Sequence, residues 1–96
     1  ILSVPDVDAC FIGPNDLCVS MGLTPSLEPS HEEFEQAVEE VKRSALTHGV
    51  APGMHCATPE TVNRRIKEGW RFMAIAGDLR FMAAAAKAAR DAIVTE

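Results

Sequence analysis

Three short apolar runs, each followed by a segment with helical features, constrain the fold of this chain more than any other feature. They cover residues 7–12 (VDACFI), 50–56 (VAPGMHC) and 72–76 (FMAIA). Nearly continuous apolar runs of this length are typical of strands buried on both faces of a parallel sheet. Because amphipathic helical segments separate them, the pattern predicts parallel βα units and an α/β fold.

The helical segments carry their own start signals. Ser30 and Glu33 have the spacing of a capping box, and Phe34 opens an apolar stripe at helical spacing. Thr58 and Pro59 are typical of the N-cap and first position of a second helix, in which Val62 and Ile66 are expected to face inward. By contrast, residues 18–27 predict only a loop or short helical turn, because glycine and proline interrupt them.

The last segment is rich in alanine and predicts a helix to about residue 94. Asp78 is expected to cap its N-terminus. Met73, Phe81 and Met82 are expected in the hydrophobic core.

The chain is too short for the fold that its pattern indicates. A whole (β/α)₈ TIM barrel needs about 250 residues, whereas this chain has 96 residues and begins at Ile1 rather than Met. We therefore expect residues 1–96 to be one partial barrel domain, the C-terminal three βα units, with the N-terminal part missing. One half of an open doubly wound sheet is the alternative, although no G-x-G-x-x-G supports its dinucleotide-binding form.

Composition excludes several classes of protein. A net charge of −5 and a pI near 5.1 argue against nucleic-acid binding. No apolar run reaches the ~18 residues of a membrane span, and no signal peptide is evident. Three cysteines, an odd number, suggest no disulfide framework and a reducing, cytoplasmic setting.

Sites in parallel α/β folds form where the strands end. Asp16 follows the first apolar run behind Gly13 and Pro14, and its carboxylate suits Mg²⁺ or Mn²⁺. Asp16 could instead cap the following turn. His55 ends the second run, where it could act as an acid or base, line a pocket, or fill a polar niche.

The amino-acid sequences of these segments resemble those of one enzyme family. "VDACFIGPNDLCVSMG" is similar to the V-D-x-x-F-I-G-P-x-D-L stretch of the HpcH/HpaI aldolases, which are metal-dependent class II aldolases. "HGVAPGMHC" and "EGWRFMAIAGD" resemble two later strands of that family. The resemblance covers essentially the whole chain.

The resemblance implies an aldolase that cleaves or forms 4-hydroxy-2-oxo acids through a metal-bound pyruvate enolate. Asp16 would bind the divalent metal, Mg²⁺ or Mn²⁺ with Co²⁺ as a third candidate, and a second ligand, a glutamate, would lie outside this chain. Gly13, Pro14, Asn15, Asp16 and His55 would contact the 2-oxo acid, pyruvate or oxaloacetate. The catalytic base is expected upstream, so the fragment alone should be inactive. The second substrate would be an aldehyde. The protein would form a homo-oligomer, by resemblance a hexamer.

Three residues depart from the family pattern. Asn15 stands where many relatives carry Ala or Ser, His55 where an aliphatic residue is expected, and Cys18 where Ser or Ala is usual. The first two bear on substrate preference, and none removes the metal ligand. Alternatives are a non-catalytic fragment or interaction module, and an enzyme like the citrate lyase β subunit or malyl-CoA lyase.

Overall fold

A three-stranded parallel sheet organises the computed structural model, which describes residues 1–95. The strands are β1 (Ala9–Ile12), β2 (Ala51–Cys56) and β3 (Phe72–Ile75), and β2 lies in the centre. Each strand is one or two residues shorter than its apolar run. The predicted α/β class with parallel strands is confirmed.

Four helices accompany the strands: α1 (Pro14–Ser20), α2 (Glu32–Thr47), α3 (Pro59–Lys67) and α4 (Asp78–Asp91). The last three residues of the short α1 fall in the segment 18–27, for which a loop or short helical turn was predicted, but the helix begins four residues before that segment. Pro14 begins this helix because the first helical position needs no backbone N–H donor. None of the helices described over residues 1–95 is long and apolar enough to cross a membrane.

Two of the helix starts differ from the prediction. The capping box does not form, because the N-cap of α2 is His31 and no side chain caps that helix end. Acidic residues in the first turn, Glu32 and Glu33 among them, instead lie near the positive end of the helix dipole. Gly77 rather than Asp78 is the N-cap of α4, which ends three residues earlier than predicted.

The N-cap of α3 is the predicted one. The hydroxyl of Thr58 accepts a hydrogen bond from the Thr61 backbone N–H at 3.2 Å. Pro59 takes the first helical position, as expected.

The hydrophobic core lies on one face of the sheet, beneath α2 and α3. Trp70, Phe34 and Val38 are buried there, and Met54 and Cys56 reach it from β2. The amphipathic stripe of α2 was predicted correctly, and Val62 also packs against the core. Ile66 does not face inward: it is 53% exposed, since the buried residue of this helix is its neighbour Arg65.

The other face of the sheet is uncovered within the described residues. Phe11 and Phe72 are 46% and 52% exposed, and their rings contact each other with centroids 5.5 Å apart. None of the residues of α4 is buried, so Phe81 and Met82 do not belong to the core expected for them. The prediction that all strands are buried on both faces therefore holds for one face only, because nothing in residues 1–95 packs on the other.

Candidate functional site at the carboxyl ends of the strands

The carboxyl ends of all three strands open onto one edge of the sheet, because the strands are parallel. The register pairs Ile12, the last residue of β1, with Met54, so Gly13 leaves the sheet beside His55, the penultimate residue of β2. Sequence reasoning selected both of these residues. The structure thus brings the first two predicted site segments to one edge.

Asp16 lies in the first turn of α1 with an exposed side chain. Its carboxylate rests against Gly13: a Cβ built on Gly13 would lie 2.7 Å from Asp16 Oδ2. The absence of a side chain at Gly13 therefore makes room for this carboxylate. No side chain caps the start of α1, so Asp16 does not serve as the helix cap that was its structural alternative.

The Asp16 carboxylate faces a shallow depression of about 420 Å³ at the sheet edge. Its lining is partly apolar and comprises Phe11, Ile12, Gly13, Asp16, Leu17 and Ser20. An exposed carboxylate beside an apolar wall can hold a small charged ligand while the wall excludes part of the solvent.

Asp16 fits one position in the coordination shell of a hard cation, because Mg²⁺ and Mn²⁺ prefer oxygen ligands. No group of three or more His, Cys, Asp or Glu side chains comes together within residues 1–95. Asp16 is therefore a candidate for a single ligand.

The two residues between Gly13 and Asp16 have different surroundings. Pro14 is fully buried and anchors the start of α1 in the body of the protein. Asn15 is exposed at the edge, where its amide can donate and accept hydrogen bonds. A hydrogen bond of 3.0 Å from the Leu17 N–H to the Gly13 carbonyl closes the turn that presents both residues.

His55 is half-buried and bonded to the neighbouring strand end. Its Nε2 lies 2.5 Å from the carbonyl oxygen of Ala76, and it donates there because a carbonyl can only accept. Ala76 has a φ of +44°, in the left-handed region that non-glycine residues avoid. Sequence reasoning placed His55 at the edge but did not identify this partner, which follows β3.

A second contact at this edge was also missed. Glu28, in the loop between α1 and α2, accepts a hydrogen bond of 2.5 Å from the Thr61 hydroxyl and a longer one of 3.4 Å from Thr58. These bonds fasten the loop to the start of α3. The only sequence signal was the Thr58 cap itself, and nothing in it indicated a partner some thirty residues away.

An ion pair between the buried Arg65 and the partly exposed Glu35 joins α3 to α2. Arg65 donates to both carboxylate oxygens of Glu35, at 2.6 and 2.9 Å, and to Glu68 at 3.0 Å. Burial would lower the pKa of Arg65, but the hydrogen bonds and charge of Glu35, with Glu68, outweigh it and raise the pKa. The guanidinium therefore stays charged, and its role is to join two helices.

Comparison with known proteins identifies the class. The family model of the HpcH/HpaI aldolase/citrate lyase family matches residues 1–85. The chain belongs to this family.

Individual relatives are named aldolases. The chain is 33% identical over 87 residues to a hydroxypyruvate/pyruvate aldolase of Rhizorhabdus wittichii, covering 91% of this chain and 35% of the relative. It is 36% identical over 88 residues to a 4-hydroxy-2-oxo-heptane-1,7-dioate aldolase of Escherichia coli, covering 92% and 33%. The chain thus spans about a third of the length of these relatives.

Solved structures agree in fold. A HpcH/HpaI aldolase/citrate lyase family protein from Burkholderia cenocepacia superposes with a TM-score of 0.87 at 26% identity, over 95% of this chain and 35% of the other. A HpcH/HpaI aldolase from Desulfitobacterium hafniense gives 0.81 at 27% identity with the same coverage.

Proposed function

We propose that the protein containing this chain is a metal-dependent aldolase that cleaves or forms 4-hydroxy-2-oxo acids. One observation carries the proposal: in a chain of the HpcH/HpaI family, the Asp16 carboxylate is exposed at the end of a parallel strand and lies in space left by Gly13. The names of the relatives support the reaction class. We further propose that residues 1–96 form the last three βα units of a (β/α)₈ barrel.

Each residue of the edge has a distinct part in this proposal. Asp16 holds one coordination position of Mg²⁺ or Mn²⁺, with Co²⁺ as a possible substitute. Such an ion supplies Lewis-acid polarisation of the 2-oxo acid when bound. Gly13 leaves room for the Asp16 carboxylate, Pro14 fixes the turn, and the exposed Asn15 donates a hydrogen bond to the carboxylate of pyruvate or oxaloacetate. His55, near the end of β2, is proposed to contact the 2-oxo acid from the neighbouring strand.

The catalytic base is assigned to the rest of the protein, together with the second carboxylate ligand. Residues 1–95 bring no three potential ligands together, so this chain by itself should not catalyse the reaction. The substrates are small molecules, a 2-oxo acid and an aldehyde. Free thiols at Cys10, Cys18 and Cys56 support the cytoplasmic location expected from the sequence.

We also propose a homo-oligomer in which α4 packs against another copy; family resemblance favours a hexamer. The support is that α4 exposes Leu79, Phe81 and Met82, by 71%, 56% and 66%, although all three are large and apolar. Phe81→Asp should lower the sedimentation-derived mass of the whole protein, whereas Lys87→Gln, on the same helix, should not. An unchanged mass for Phe81→Asp would contradict the interface.

The function is tested by replacing Asp16 in the whole protein. Asp16→Ala should reduce Mn²⁺-dependent release of pyruvate from a 4-hydroxy-2-oxo acid by about a hundred-fold or more, because the metal loses a charged ligand. Mn²⁺ affinity, measured by titration calorimetry, should fall as well. Asp6→Asn removes a charge before β1, at the opposite end of that strand, and should leave both measurements unchanged.

Three other results would contradict this assignment or favour a different function. Full cleavage activity and unchanged Mn²⁺ affinity in Asp16→Ala would contradict the assignment. Activity of the unmodified protein on a citryl or malyl thioester, with none on 4-hydroxy-2-oxo acids, would favour the citrate lyase or malyl-CoA lyase reaction. No activity on either substrate, with or without Mn²⁺, would favour a non-catalytic interaction module.

A further inference from the structure

Ala76 holds an unfavourable backbone conformation between β3 and α4. Its φ of +44° brings Cβ close to the following carbonyl, which is why alanine rarely adopts this region. The next residue, Gly77, would tolerate such a φ but is extended instead, at −178°. Something other than local preference must therefore hold Ala76 in place.

Two hydrogen bonds from the end of β2 hold this residue. The Ala76 N–H donates to the Cys56 carbonyl at 2.8 Å, and the Ala76 carbonyl accepts from His55 Nε2 at 2.5 Å. The peptide units on both sides of Ala76 are thus fastened to consecutive residues of the central strand. The first bond extends the sheet, whereas the second depends on the identity of residue 55.

The hydrogen bond to Ala76 also limits what the His55 imidazole can do chemically. Nε2 carries the proton in this arrangement, so it can serve neither as a proton acceptor nor as a metal ligand. An aliphatic residue at position 55 could fill the same space but could not donate. Any contribution of His55 to the edge that depends on Nε2 is therefore made through Ala76.

We propose that His55 is a positioning residue: by donating from Nε2 it holds Ala76 in the left-handed conformation and fixes the β3–α4 turn at the edge where Asp16 lies. Its effect on turnover rests on the aldolase function proposed above. Its effect on the turn does not, so the two can be tested separately.

The test compares three replacements in the whole protein. Glutamine can present a donor near the position of Nε2, asparagine carries the same amide on a shorter side chain, and leucine carries no donor. Amide hydrogen exchange at residues 76–79 should be about ten-fold faster in His55→Leu and His55→Asn, the effect of losing one net hydrogen bond, and near the original rate in His55→Gln. The kcat/KM for aldol cleavage should follow the same order.

Two further measurements keep the proposal falsifiable if His55→Leu fails to fold. Nitrogen-15 NMR of the unmodified protein should find the neutral imidazole of His55 protonated at Nε2. Adding Ala76→Gly to His55→Asn should recover exchange protection, because glycine needs less restraint at this φ.

The proposal is overturned by any of three results: an Nδ1-protonated tautomer, equal losses of protection in the Gln, Asn and Leu variants, or no loss in any of them. If exchange follows the expected order but no aldol cleavage is detected in the unmodified protein, the positioning role stands and the proposed function fails.

Discussion

The two faces of the sheet carry similar apolar side chains but have opposite environments. On the helix-covered face, Trp70, Phe34 and Met54 are between 1% and 2% exposed, whereas Phe11 and Phe72 on the other face are about half exposed. Apolar character therefore indicates that a residue is to be covered, but not which part of the protein covers it. Helices of this chain cover the first face, whereas the residues that the structure describes leave Phe11 and Phe72 on the second face half exposed.

The candidate site lies where these two regions meet. Its backbone is fixed by the buried Pro14 and by the bond to Ala76 from His55, which alternates with the core residues Met54 and Cys56 and therefore lies on the face of Phe72. Asp16, its charged group, projects on the exposed edge. In the function proposed above, this chain contributes Asp16 as one metal ligand, and the rest of the protein supplies the others.

The largest effect is expected in the covered core. Trp70→Ala in the whole protein should reduce the free energy of unfolding by about 3–5 kcal/mol, because it leaves a large cavity beneath α2 and α3. Trp70→Phe keeps most of the packing and should lose about 1 kcal/mol. Denaturant titration distinguishes the two, and equal losses would mean that Trp70 does not fill the core in this way.

The second largest loss of stability is expected from a substitution within the sheet. A Cβ on Gly53 would lie 2.6 Å from the Phe72 carbonyl oxygen and 2.7 Å from that of Cys10, so backbone on both sides would have to move. Gly53→Ala should therefore lose about 2–3 kcal/mol of unfolding free energy. Gly77→Ala, where a Cβ meets no atom within 4 Å, is the matched control and should lose less than about 1 kcal/mol. A loss from Gly53→Ala no larger than that of the control would contradict the close contact.

A smaller effect is expected for the ion pair between Arg65 and Glu35, which joins α3 to α2. Glu35→Ala leaves the buried Arg65 with Glu68 as its carboxylate partner and should lose about 2 kcal/mol. The exposed Glu40 lies on the same helix, and Glu40→Ala should change the unfolding free energy by less than about 0.5 kcal/mol. Indistinguishable denaturation midpoints for the two variants would show that the pair contributes nothing.

The smallest effect concerns pH. Burial raises the pKa of the Cys56 thiol, an effect that the charge of Arg65 only partly offsets. In the unfolded chain the thiol therefore ionises at a lower pH than in the folded protein. Ionisation of the unfolded chain favours unfolding, so the free energy of unfolding falls as pH rises from the ordinary thiol pKa of 9.0 through the raised pKa of the folded state. Denaturant titrations from about pH 7 to 10 should find a shallower decline in Cys56→Ala. Parallel pH profiles for the two proteins would count against a thiol held neutral by burial.

Much of the fold was predictable because hydrophobic period and length identify strands and long helices. The prediction of a loop or short helical turn over residues 18–27 did not give the start of α1 at Pro14, because it relied on Gly22 and Pro25, which lie beyond the end of the helix. Ser30 and Asp78 were wrongly assigned as caps, since a cap depends on where the backbone enters the helix and shifts by one residue without a change in composition.

The candidate site was predictable in position but not in its contacts. Asp16 and His55 followed from the rule that sites form where parallel strands end. The partner of His55 did not, because it lies 21 residues away and requires a positive φ at Ala76. With Gly77 as the next residue, local sequence indicates that the glycine and not the alanine should adopt that conformation.

The central claim is that Asp16 is a metal ligand, and crystals of the whole protein with Mn²⁺ and pyruvate test it most directly. The expected result is an anomalous-scattering peak about 2.2 Å from an Asp16 carboxylate oxygen, with pyruvate beside Gly13 and Asn15. A Mn²⁺ peak bound by other residues, with Asp16 contacting only solvent, would contradict the claim.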